Sequence, residues 1–88
     1  MASRTVALGN RRGLHARASA KFVTLAAGQS VEIEVEKDGS AVCGTSIMGL
    51  MMLGAAYGDT IIIRADGEGA EEAVAALAEL VEARFGED

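Results

Sequence analysis

The stretch "VEIEVEKDGSAVCG", Val31–Gly44, decides the fold. Val31, Ile33 and Val35 alternate with Glu32, Glu34 and Glu36. Side chains of an extended chain point to opposite faces in turn, so this segment has one apolar and one charged face. A strand that is dry on one side and wet on the other belongs to an antiparallel sheet with one face covered. Asp38-Gly39 supplies the hairpin turn, because both central positions of a type I′ turn need positive φ. "SAVC" then returns as the second strand, and Cys43 within it reads as a small buried hydrophobe.

Working outward, "SRTVALG" has the composition of a short strand ending at Gly9, and "NRRG" is a basic loop. From Ala16 onward, Ala16, Ala20, Val23 and Ala27 recur at helical spacing, with Phe22 and Leu25 widening the face and Gly28 as the C′ residue. "SIMGLMML" is a short apolar helix that Ser46 can cap and Gly54 can end. "DTIIIRA" is a compact strand suited to the interior of a sheet. After the turn "DGEG", Val74, Leu77, Leu80, Val81 and Arg84/Phe85 follow a helical period over residues 70–85. Glu71 and Glu72 lie near the start of that helix and Arg84 in its last turn, as the helix dipole favours. The order β-α-β-β-α-β-α implies an α+β two-layer domain, a mostly antiparallel sheet with helices on one side.

The bulk properties agree. Eighty-eight residues suit one domain, 1–88, burying ~60–65% of its unfolded surface. A hydrophobic fraction of 50% against 24% charged excludes a disordered chain. The net charge of −5 argues against nucleic acid as a partner. From Met1 to Lys21, however, every charged side chain is basic: Arg4, Arg11, Arg12, Arg17 and Lys21. One cysteine and one histidine are too few ligands for a metal site and allow no intrachain disulfide. No apolar run approaches a membrane span of ~20 residues, and nothing resembles a signal peptide. The expected location is the cytoplasm.

The only histidine, His15, lies at a helix start within "GLHARASA". A helix N-terminus carries unpaired N–H groups and about half a positive charge. That end disfavours imidazolium, so the ring keeps a nucleophilic lone pair. An anion attached to the ring nitrogen would meet the free N–H groups, and Arg17 can add charge-assisted donors. The arrangement suits a phosphorylated histidine; from the residues alone, a partly exposed surface histidine is the reading they favour. No acidic residue lies near His15 in sequence, so any carboxylate partner must come from elsewhere in the fold. No GxxxxGK[ST] loop is present, so a phosphoryl donor would be another protein.

"GLHAR" followed by "SIMGLMMLG" closely resembles the HPr/NPr family of phosphocarriers of the phosphoenolpyruvate-dependent phosphotransferase system. The resemblance covers the whole chain. It implies an open-faced β-sandwich, with a four-stranded antiparallel sheet in order 1-4-2-3 and three helices on one face. It implies that His15 accepts a phosphoryl group on Nδ1 from enzyme I and donates it to enzyme IIA-type proteins. Arg17, with the backbone of Ala16 and Ala18, would bind that group. Ser46 would be phosphorylated by an ATP-dependent HPr kinase/phosphorylase. The carrier would be a cytoplasmic monomer, without cofactor, metal or membrane insertion, and a stoichiometric carrier more than an enzyme.

Ala18 stands where the family usually has proline; alanine should preserve the helix and restore an N–H near the phosphoryl site. Ser46 reads both as a helix N-cap and as a regulatory site. Leu50 and Leu53 can share the buried face of their helix, leaving Ile47, Met48 and Met51 as an apolar docking patch ringed by Arg11, Arg12, Arg17 and Lys21. A placement of these side chains in the core is the plainer alternative. Two functional readings follow: a phosphocarrier, or a mainly regulatory HPr/NPr-type module without a role in sugar uptake. A small binding domain unrelated to phosphotransfer fits the motifs poorly.

Overall fold

The alternating stretch forms the hairpin that its pattern predicts. Residues 1–87 are described by the computed structural model. The elements are β1 (Ala2–Ala7), α1 (Ala16–Ala27), β2 (Ile33–Lys37), β3 (Ser40–Cys43), α2 (Ile47–Met52), β4 (Thr60–Ala65) and α3 (Ala70–Glu82), followed by a 3-10 turn at Arg84–Gly86. Asp38 and Gly39 have φ of 52° and 85°, and Lys37 faces Ser40 across the turn. β2 begins at Ile33, not at Val31, because the ladder to β4 runs out at the Ile33–Ala65 pair. Val31 is half-buried against the core just before the strand.

The sheet order is β1-β4-β2-β3, and every neighbouring pair is antiparallel. β4 therefore lies in the interior, as its isoleucines imply. Val6, Ile33, Val35, Ile61, Ile63 and Ala65 project from one face and are buried with Phe22, Leu50, Val74, Leu77 and Val81 of the three helices. Each fully buried side chain of this size contributes roughly 1.5–3 kcal/mol relative to exposure.

The opposite face is open. Ser3, Arg64, Glu34 and Cys43 form one row across the four strands. Arg64 donates through Nε to Glu34 at 2.8 Å and through its terminal nitrogen to Glu36. Cys43 is thus exposed, contrary to the reading of it as a buried hydrophobe. The register explains the difference. Val42 pairs with Val35 and shares its inward face, so its neighbour Cys43 must point to solvent.

Three helical expectations also change. The buried residues of α1 are Ala18, Ser19, Phe22 and Ala26, while Ala16 and Ala27 are exposed. Phe22 has by far the most apolar surface to bury and sets the face; alanine is indifferent to which side it occupies. Gly28 ends α1 as a C-cap with φ −85°, without the left-handed conformation of a C′ glycine. α3 stops at Glu82, so Arg84 is not in its last turn. Arg84 and Phe85 instead take φ of 58° and 56°, turning the chain back so that Phe85 is buried.

Candidate functional site

A tightly pinned loop delivers the histidine. Leu8 exchanges backbone hydrogen bonds with the Gly58–Asp59 turn, both at 2.8 Å. Gly13 has φ +62°, and a Cβ there would lie 2.4 Å from the Ala55 carbonyl oxygen. Only glycine fits so close an approach in the left-handed region. The same carbonyl accepts the Leu14 N–H at 3.0 Å, and Leu14 is buried. Inside the loop, the fully buried Asn10 donates from Nδ2 to the Gly13 carbonyl at 2.8 Å. Ser19, also fully buried, donates from Oγ to the Leu14 carbonyl at 3.2 Å.

His15 is the N-cap of α1, with extended backbone (φ −76°, ψ −178°). Its carbonyl accepts the Ser19 N–H at 2.9 Å, and its Nδ1 accepts the Arg17 N–H at 3.3 Å. Its Nε2 lies 2.9 Å from Oε1 of Glu87. An ionised carboxylate can only accept, so Nε2 carries the proton and Nδ1 keeps the lone pair. Oε1 of Glu87 also accepts from Asn10 Nδ2 at 3.0 Å. The hydrogen bond from His15, then that from Asn10, holds the Glu87 carboxyl below the ordinary value near 4.5; the Lys21 charge adds to this, and desolvation opposes it. Lys21 donates from Nζ to the Phe85 carbonyl at 2.7 Å, tying α1 to the turn that carries Glu87.

Chemically, a neutral imidazole with a fixed proton on one nitrogen presents a nucleophile at the other. Nδ1 faces the helix N-terminus, whose first-turn N–H groups, on Ala16, Arg17 and Ala18, have no intrahelical acceptor. Ala18 is fully buried as a whole residue, backbone included, so its N–H lies beneath the surface of the first turn. Arg17 is exposed, and among the described residues no ion pair occupies its guanidinium. No group of three His, Cys, Asp or Glu among the described residues could hold a metal ion.

α2 packs against α1. Leu50 is fully buried and Leu53 half-buried, whereas Ile47, Met48 and Met51 are exposed at 40%, 69% and 41%. Met52, at 79%, and Tyr57, at 66%, are exposed apolar side chains that the sequence pattern did not assign. Arg11, Arg12 and Lys21 are exposed as expected. Oγ of Ser46 accepts the Gly49 N–H at 3.0 Å, so the serine is the N-cap of α2.

Sequence reasoning missed Asn10 and Glu87. Glu87 lies 72 residues from His15, and the only trace of its role is a glycine that breaks the helical pattern between an apolar anchor and an acid, "FGE".

Residues 2–83 match the family model described as "PTS HPr component phosphorylation site". The phosphocarrier protein HPr of Neisseria meningitidis serogroup A is 46% identical over 87 residues, covering 99% of this chain and 98% of that protein. The phosphocarrier protein NPr of Shewanella violacea is 37% identical over 84 residues, covering 96% and 92%. The crystal structure of HPr from Thermoanaerobacter tengcongensis superposes with a TM-score of 0.94 at 44% identity, covering 100% and 99% of the two chains.

Proposed function

The chain belongs to the HPr family of phosphocarriers of the phosphotransferase system, and from that premise we propose that His15 is its phosphoryl acceptor, through Nδ1. The observation that carries this reading is the imidazole held at Nε2 by Glu87, with Nδ1 turned to the start of α1. Enzyme I supplies the phosphoryl group and enzyme IIA-type proteins receive it, in the cytoplasm. Arg17 and the exposed Ala16 N–H bind the phosphoryl oxygens, and the buried Ala18 N–H adds its dipole from behind. Alanine at position 18 keeps a donor that proline would remove. A single copy suffices, because all these groups lie on one chain.

Docking uses the exposed Ile47, Met48 and Met51, ringed by Arg11, Arg12, Arg17 and Lys21. Ser46 is a phosphorylation site for an HPr kinase/phosphorylase. A phosphate there sits at a helix start, which tolerates it, and acts by adding negative charge beside the docking surface.

Incubation with phosphoenolpyruvate and enzyme I tests the carrier role. The wild type should gain one acid-labile phosphoryl group and His15→Ala none. A wild type that stays unlabelled refutes the reading. Incubation with ATP and an HPr kinase, read as acid-stable label lost in Ser46→Ala, tests the regulatory site.

A further inference from the structure

The segment after α3 is built to deliver one carboxylate. Arg84 and Phe85 both adopt left-handed backbone that non-glycine residues avoid. Phe85 is buried at 1% exposure, and Lys21 holds its carbonyl at 2.7 Å. Gly86, with φ 74°, completes the reversal. The chain is thereby hooked back across α1, and Glu87 reaches His15 and Asn10 together.

Asn10 shows the same purpose from the other side. Its Oδ1 is buried and has no hydrogen-bond partner. An orphaned buried acceptor is penalised, yet the amide cannot rotate to relieve it. Rotation would turn Oδ1 toward the Gly13 carbonyl and the Glu87 carboxylate, two acceptors. The unsatisfied oxygen is the consequence of aiming Nδ2 at Glu87.

We propose that Glu87 is the positioning residue of this site, oriented by Asn10: it holds the Nε2–H of His15, so that Nδ1 is the reacting nitrogen, and stays ionised opposite the ring throughout transfer. The role rests on the carrier reading above. In the transfer step, the Nδ1 lone pair forms the N–P bond as the bond between phosphorus and the donor atom breaks, its electron pair leaving with the donor. The ring gains one positive charge and no proton moves, because Nε2 keeps its own. Glu87 faces that new charge directly, while Arg17 and Lys21 are the cations on the same helix. Onward transfer reverses the charge change against the same fixed carboxylate.

The test compares wild type with Glu87→Ala and Glu87→Gln, with circular dichroism confirming that all three fold. Proton–nitrogen NMR of the unphosphorylated ring should show, in the wild type, a hydrogen-bonded Nε2–H protected from exchange and an unprotonated Nδ1. Glu87→Ala should lose that protection. Phosphoryl uptake by Glu87→Ala should slow about tenfold to a hundredfold, with KM for the phosphorylated donor unchanged, since alignment is lost and docking is not. Glu87→Gln, which can still accept but carries no charge, should fall between. Ring protection equal in wild type and Glu87→Ala, or equal uptake rates, overturns the role of Glu87. A wild type with the protected ring proton but no phosphoryl uptake overturns the carrier reading instead, and with it the assignment of that hydrogen bond to transfer.

Discussion

Each ring nitrogen of His15 has a different neighbour, and on the proposed carrier reading that asymmetry directs the reaction to Nδ1. Nε2 meets a carboxylate at 2.9 Å, and Nδ1 meets a backbone N–H at the looser distance of 3.3 Å. The looser contact is the one a phosphoryl group can replace. Glu87 links this geometry to pH. Its carboxyl is held below the ordinary value near 4.5 by the hydrogen bonds from His15 and Asn10. A carboxyl whose folded value is depressed stabilises the fold fully above its unfolded value, and that contribution disappears as pH falls through the folded value. The hook should therefore loosen in acid, below about pH 4.5. Carbon NMR of the Glu87 carboxyl should give a midpoint below that of the other glutamates in the wild type, moving up in both Asn10→Ala and His15→Ala. An ordinary midpoint in the wild type would mean that the carboxylate is not held as described.

At the scale of elements, α2 is the least self-sufficient piece. An isolated helix of six residues is far below the length that persists in water. Leu50 in the core and the Ser46 cap hold it in place. Ser46→Ala strands the Gly49 N–H and should lower stability by about 1 kcal/mol. For a domain of this size that is a fall in Tm of roughly 4–8 °C. Ser46→Asp keeps an acceptor at the cap and should lose much less; equal losses in calorimetry would show that the cap contributes nothing. The same comparison of local and distant forces explains which elements the sequence makes legible. The β2–β3 hairpin is readable because alternation and Asp-Gly are local signals. The face of α1 is not, because its alanines carry no preference and a single phenylalanine decides. Cys43 is misread because its direction depends on register with Val35, a relation between strands. Residues 83–87 are misread for a stronger reason. Burial of Phe85 overrides helix propensity there, and the hydrogen bond from His15 to Glu87 is visible only once two segments 72 residues apart have met.

Across the whole molecule, charge is segregated in a way that the net value of −5 conceals. Every charged side chain in the first 21 residues is basic, and four of these, Arg11, Arg12, Arg17 and Lys21, are exposed around the histidine loop and α1. Beside them α2 exposes Ile47, Met48 and Met51. The two components of this surface should separate kinetically. Cations steer an acidic partner over distances comparable with the Debye length, about 10 Å at 0.1 M salt and about 3 Å at 1 M. Apolar contacts form only on docking and are not screened. Raising salt from about 0.05 to 0.5 M should therefore reduce the association rate with enzyme I steeply while leaving the dissociation rate nearly constant. Arg12→Glu should reproduce the salt effect at low ionic strength by slowing association. Met48→Ala should instead accelerate dissociation, with association unchanged. Stopped-flow measurement of both rates distinguishes these cases, and an association rate indifferent to salt would exclude the cationic ring as the steering element.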